Sequence, residues 1–241
     1  MQCCLDRHRH VASLPWRHLR RGRDDPPPRA RPSPLLGVEW AHVGGGGALK
    51  VVLGVSGASG ALFGAEMLRA LVCHRVDVDL ICSPVAEQVA QQELGEGISA
   101  RVARILRETG SPASVRALDY EDFGAAPSSG SYLHHGMLIM PCSMATVGRI
   151  ATGSAPNLIC RAADVCLKER RPLILGVRET PLSTIHLRNL TALSEAGAII
   201  APAAPSFYGN PESIIAMVRI YCGRMLDILG IENEWAYRWS R

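Results

Sequence analysis

From Leu49 onward short apolar runs alternate with longer amphipathic segments, and this alternation constrains the fold more than any other feature of the chain. Runs of strand length that are apolar throughout belong to strands covered on both faces, whereas apolar residues three and four apart mark helices lying on them. Strands are expected at 50–55, 77–82, 136–141, 172–177 and 197–202, with a further one near 114–118. Helices are expected at 61–73, 84–93, 99–109, 144–170 with a break near Gly153 to Pro156, 183–195 and 211–229. Such a βαβ series closes with right-handed crossovers into a parallel, doubly wound sheet. The expected fold class is therefore α/β, Rossmann-like (flavodoxin-like), three-layer α/β/α, in a single domain over 48–241. In that architecture a ligand binds at the carboxyl ends of the strands, near a switch in strand order. The loops expected there are Ser56 to Gly60, Ser83, Ser128 to Ser131, Pro141 to Thr146, Arg178 to Pro181 and Pro205 to Pro211.

Composition excludes several classes. With 47% hydrophobic and 20% charged residues, the chain has the apolar content of a folded domain rather than of a disordered polymer. The net charge of +4 lies wholly in residues 1–47, which carry 8 Arg against 4 acidic residues; residues 48–241 hold 18 of each sign. A neutral body argues against nucleic acid, whose binding needs a clustered basic excess. No apolar run approaches the roughly 20 residues that span a bilayer, so no membrane association is expected. The eight cysteines form no CxxC and several lie in apolar runs, which points to reduced thiols and no metal site. Residues 1–47, with Pro26 to Pro28 and Gly44 to Gly47, are expected to be a disordered leader outside the domain. An Arg-rich mitochondrial presequence is the other reading of that leader, and an upstream start chosen in error a third; without a presequence the expected location is cytoplasmic.

Three loops carry the candidate chemistry. Ser56-Gly57-Ala58-Ser59-Gly60 follows the first strand and opens the first helix, so backbone N–H groups can approach an anion at the positive helix end. Its glycines do not follow the dinucleotide spacing, and the second strand ends in Cys82-Ser83 rather than in an acidic residue, which weakens an NAD reading. Pro141-Cys142-Ser143-Met144-Ala145-Thr146 places two hydroxyls at a helix start, which alone signals no more than capping. Cys142 has no orienting His in view, so wall packing is expected instead of nucleophilic chemistry. In the segment from Asn157 to Pro172, Glu169, Arg170 and Arg171 read as a solvated helix end, while Lys168 stands out because Arg replaces Lys almost everywhere else. Tyr132, His134 and His135 have no place in this scheme and are taken as surface residues.

The combination Gly-Ala-Ser-Gly, Pro-Cys-Ser-x-x-Thr, Arg-Ala-Ala-Asp-Val-x-Leu-Lys-Glu-Arg-Arg-Pro-Leu, Arg-Glu-Thr-Pro-Leu, Ala-Gly-Ala-Ile-Ile-x-Pro and Phe-Tyr-x-x-Pro resembles the flavin prenyltransferase family, UbiX-type, over residues 49–239. The resemblance implies an FMN-binding transferase that joins a dimethylallyl group from dimethylallyl monophosphate to N5 and C6 of reduced FMN, without a metal. The prenylated FMN would serve a UbiD-type decarboxylase. By motif, Gly57, Ala58, Ser59, Ser83, Ser143, Met144, Ala145, Thr146 and Arg178 correspond to FMN contacts. Tyr208 and Arg224 correspond to prenyl-phosphate contacts, with Lys168, Glu179, Arg161, Glu93 and Ser129 at further active-site positions. The resemblance also implies a homo-oligomer, a dodecamer, with the site between subunits and Trp239 closing a neighbour's site. Glu179 reads equally as a proton-transfer group or as the ion-pair partner that orients Arg178. Two rivals stay open at this point: an FMN-dependent cysteine decarboxylase, whose Met-Asn loop is missing here, and a non-catalytic FMN carrier, which would not need Lys168, Glu179 or Arg224.

Overall fold

A computed structural model describes residues 49–239; the leader expectation for 1–47 lies outside the described residues. Six strands, β1 (Lys50–Val55), β2 (Asp77–Cys82), β3 (Val115–Leu118), β4 (Met137–Cys142), β5 (Leu173–Val177) and β6 (Ile199–Pro202), form one sheet in the order β3-β2-β1-β4-β5-β6. Every pairing is parallel. The order reverses between β1 and β4, so the crevice of this doubly wound sheet opens where their following loops part to opposite faces.

Period-two alternation divides the core. Val51, Leu53 and Val55 of β1 join Leu138 and Met140 of β4 in one apolar layer under α1 (Ala61–Cys73), α3 (Ile98–Thr109) and α7 (Ile214–Ile228). Val52, Met137 and Ile139 face the other layer, under α4 (Met144–Ala151), α5 (Leu158–Lys168) and α6 (Thr184–Glu195). α2 (Pro84–Leu94) adds Ala86 and Ala90 to the first layer. The expected helix over 144–170 is two helices: Gly153 adopts φ 68°, and Asn157 restarts the chain by accepting the Cys160 N–H at 3.0 Å. α7 begins at Ile214 rather than 211 because Ser213 caps it, Oγ accepting from Ala216 N at 3.1 Å. No helix of the described residues is long and apolar enough to cross a membrane.

Of the residues taken as surface before β4, His134 is buried and Tyr132 and His135 are half-buried. Asp79 of β2 is buried, and Tyr132 donates its hydroxyl to it at 2.5 Å while Arg116 Nε donates at 2.9 Å. Burial and the Asp79 carboxylate push the Tyr132 phenol up to about 12. His134 is 6% exposed, beside the Gly136 carbonyl and the Cys166 thiol, and burial lowers it to about 4. A carboxylate inside the sheet must be paired, and Tyr132 and Arg116 pair Asp79.

A His held neutral in the fold but free to protonate when unfolded stabilises the protein fully above its ordinary value near 6.5. That stability, about 3 kcal/mol, is lost as pH falls through about 4. Urea unfolding of the His134→Asn variant should therefore lose less stability between pH 7 and pH 4.5 than the parent. Parallel pH profiles would refute the assignment.

Candidate active site at the carboxyl edge

Ser56 joins the two loops of the switch point. Its buried hydroxyl donates to the Pro141 carbonyl at 2.9 Å and accepts the Ser143 N–H at 2.8 Å. Ser143 caps α4, accepting from Thr146 N at 3.3 Å, and its Oγ lies 3.1 Å from Thr146 Oγ1. The N–H groups of Met144 and Ala145 open the same helix, where no intrahelical acceptor exists. This is a positive helix end lined by two hydroxyls, as the sequence predicted for Ser143, Met144, Ala145 and Thr146. Arg178 reaches it from β5: its N–H donates to the Cys142 carbonyl at 3.2 Å, and its Nε donates to the Ser59 carbonyl at 2.9 Å. Ser83 caps α2, accepting from Ala86 N at 3.0 Å. Gly57 lies against that helix start, where a Cβ would stand 2.5 Å from Val85 Cγ1, so the loop with Ala58 and Ser59 passes only with glycine there.

The α1 end differs from expectation. Glu93 of α2 accepts the Gly60 N–H at 3.0 Å and the Ala61 N–H at 2.8 Å, so the chain's own carboxylate takes the anion position on α1. Burial would raise the Glu93 carboxyl, but hydrogen bonds from Ser59, Gly60 and Ala61 and the Arg178 charge together hold it below the usual range. Glu179 is exposed and accepts its neighbour Thr180 N–H at 3.0 Å. Its reading as the partner that orients Arg178 finds no ion pair among the described residues; Ser59 and Glu93 serve Arg178 instead. Cys142 is fully buried and its thiol is pushed far up, in keeping with a wall residue.

Beyond β6, Tyr208 is exposed and stacks on Tyr237 with ring centroids 6.5 Å apart, and Trp239 meets it edge-on at 5.1 Å. The tail that carries Tyr237 and Trp239 is strapped to α7. Asn233 donates to the Gly223 carbonyl at 3.1 Å and accepts from Trp235 N and Ala236 N. Arg224, on the same helix, is exposed.

Lys168 and Ser129 do not join this edge, while Arg161 lies in the first turn of α5, whose Leu158 N–H donates to the Tyr120 carbonyl just past β3. Lys168 ends α5, which leads into the amino end of β5, and pairs with Glu169. The Ser129-Gly130-Ser131 loop, expected at the carboxyl edge, instead leads into the amino end of β4, because its connection crosses the sheet between two parallel strands. Arg171, read as solvated, fixes that loop by donating to the Gly130 carbonyl at 2.6 Å and the Tyr132 carbonyl at 2.7 Å. Arg161 Nε donates to the Ser128 carbonyl at 3.1 Å. Each chain thus presents two separated half-sets. Sequence reasoning missed Arg171 and Ser56, and the signal for Ser56 was its position at the end of the first strand.

The tail strap depends on Gly223, where a Cβ would stand 2.5 Å from the Trp235 carbonyl carbon and closer still to the Ala236 nitrogen. Gly223→Ala should free the tail while leaving the core: limited proteolysis should cleave after residue 230 faster, with an unchanged thermal transition to within about 1 kcal/mol. An equally protected tail would contradict this account.

The Flavoprotein family matches residues 45–231. The chain is 44% identical over 193 residues to the flavin prenyltransferase UbiX of Thermoplasma acidophilum, a match covering 79% of this chain and 100% of that protein. It is 36% identical to AnUbiX (PadA1), solved in complex with FMN and dimethylallyl pyrophosphate, with a TM-score of 0.73 over 80% of this chain and 98% of that one. A dodecameric FMN-dependent UbiX-like decarboxylase from Escherichia coli O157:H7 is 37% identical with a TM-score of 0.71, over 80% and 100% of the two chains.

Proposed function

The chain belongs to the flavoprotein family, among its flavin prenyltransferases, and on that premise we propose that it transfers a dimethylallyl group from dimethylallyl monophosphate to reduced FMN. The observation that carries this reading is the carboxyl-edge cradle: an α4 N-terminus with Ser143 and Thr146 hydroxyls, beside a loop whose Gly57 admits close approach and whose Ser59 carbonyl holds Arg178. The donor set fits the phosphate of FMN, with Ala58, Ser59, Ser83, Met144 and Ala145 as its other contacts.

Bound FMN supplies the nucleophilic N5 and C6. The chain's residues supply charge, orientation and a dry site. When the allylic C–O bond breaks, its electron pair stays on the departing phosphate, so fixed cations and a hydroxyl there lower the barrier without a metal. Lys168, Arg224, Arg178 and the Tyr208 hydroxyl serve that end. Tyr208, Tyr237 and Trp239 supply apolar walls that keep water from the allyl carbon. The first bond releases the N5 proton; the second needs a proton delivered to the inner alkene carbon of the prenyl group and one lost from C6, so the flavin gains C5H8 in all. Glu179, exposed at the cradle and not engaged with Arg178, is assigned to take up the proton from C6, while Glu93 fixes the loop at Gly60 and keeps a negative charge beside it.

The two half-sets on one chain support an oligomeric site: Lys168 and Ser129 of one copy complete the cradle of another, within a homo-oligomer that we assign as a dodecamer. A UbiD-type decarboxylase is the acceptor of the product, and the described cysteines, all free thiols, accord with a cytoplasmic location.

Anaerobic incubation with reduced FMN and dimethylallyl monophosphate, or the diphosphate in parallel, should give released flavin heavier by one C5H8 unit on mass spectrometry. Unchanged flavin from FMN-bound protein would favour a carrier. Lys168→Ala and Arg224→Ala should keep FMN affinity within about threefold and lower transfer at least about 100-fold. Arg178→Ala should instead weaken FMN itself, by about tenfold, as loss of a charge-assisted phosphate contact does. Equal loss of FMN in the first two variants would overturn their assignment to the donor.

A further inference from the structure

Asp227, at the last turn of α7, stands between two arginines from different parts of the chain. Arg238 of the tail binds it through both terminal nitrogens, Nη1 to Oδ2 at 2.6 Å and Nη2 to Oδ1 at 2.8 Å. Asn233 Nδ2 donates a third hydrogen bond to Oδ1 at 2.9 Å. Arg224, one helical turn earlier, reaches Oδ2 only at 3.7 Å and makes no hydrogen bond among the described residues. Asp227 is 15% exposed and Arg224 is 62% exposed. The carboxylate is therefore held by the tail, while the Arg224 guanidinium keeps its donors unspent.

Remove the tail and the balance changes. A largely buried carboxylate stripped of a bidentate partner needs another cation. Arg224 is the nearest, and its i, i+3 position on the same helix keeps it within reach whatever the tail does. With the tail docked, two guanidinium groups share one carboxylate, and the surplus positive charge lies on the exposed Arg224, open to an anion. The same strap carries Tyr237 and Trp239 onto Tyr208. One docking event thus readies both groups assigned to the donor phosphate.

We propose that Arg238 and Asp227 are positioning residues that form a carboxylate exchange: tail docking moves the Asp227 pairing from Arg224 to Arg238 and so frees Arg224 for the phosphate of the prenyl donor. The inference rests on the assignment of Arg224 to that phosphate.

Steady-state transfer kinetics and FMN binding on the full chain test it, with Arg238→Gln, Asp227→Asn, the double variant and Arg224→Ala. Arg238→Gln should raise KM for dimethylallyl monophosphate roughly tenfold, with kcat and FMN affinity within about twofold of the parent. Adding Asp227→Asn to Arg238→Gln should bring KM back to within about threefold, because a neutral amide no longer captures Arg224. A tail acting only as a strap or lid predicts no such rescue, since both substitutions loosen it; a double variant as impaired as Arg238→Gln would overturn the exchange. If Arg224→Ala leaves donor kinetics at the parental level, the phosphate assignment itself has failed, which a missing rescue alone does not show.

Discussion

A single serine hydroxyl holds together the place where this sheet changes direction. β1 and β4 are neighbours, yet their following helices leave to opposite faces, so no strand ladder continues past their ends. Ser56 fills that gap by bonding the Pro141 carbonyl and the Ser143 N–H, and its own N–H donates to Pro141 at 3.2 Å. From there the connections run on: Arg178 N–H bonds the Cys142 carbonyl, and the Arg178 side chain returns to Ser59. Three loops from three strands close a ring of hydrogen bonds. A loop left alone would pay conformational entropy at each encounter with a ligand; a ring fixed by buried bonds has its donors aimed beforehand.

What the sequence made legible follows from periodicity and from local motifs. Strand positions were readable within a residue or two because parallel strands covered on both faces are apolar throughout, and Ser143 marked a helix start by its chemistry. Less legible was the destination of side chains that leave their own element. Arg171 resembles any charged residue at a helix end, and only the path of the long connection between β3 and β4 brings the Gly130 and Tyr132 carbonyls to it. His134 and Tyr132 were misread for the same reason. The Tyr132 partner Asp79 lies more than fifty positions earlier, within an apolar strand, and the Cys166 thiol beside His134 lies on α5, so no local pattern announces either.

Sheet polarity explains why the motif residues divide. In a parallel sheet all amino ends share one edge, so a helix that ends at Lys168 before β5 and a loop that ends before β4 are both delivered away from the carboxyl-edge cradle. No rotamer of Lys168 spans a sheet. The segregation is thus a property of topology, and a second copy is the natural way for those residues to meet Ser143 and Arg178.

The treatment of the two helix ends at the switch point shows how one fold selects where an anion binds. α1 and α4 both begin at the carboxyl edge with their positive ends toward the crevice, so sequence alone makes each a candidate. At α1 the Glu93 carboxylate accepts from Gly60 and Ala61, which satisfies the free donors and cancels the local charge. At α4 the cap is a neutral serine, which satisfies one donor and leaves the charge of the helix end intact. The Arg178 side chain lies on the α1 side, where its Nε donates to the Ser59 carbonyl and its charge faces Glu93. A dianionic phosphate placed at α1 would meet a carboxylate; at α4 it would meet hydroxyls and N–H groups. The difference arises from one acidic residue on α2, which makes one helix end a loop clamp and leaves the other with its positive charge uncancelled.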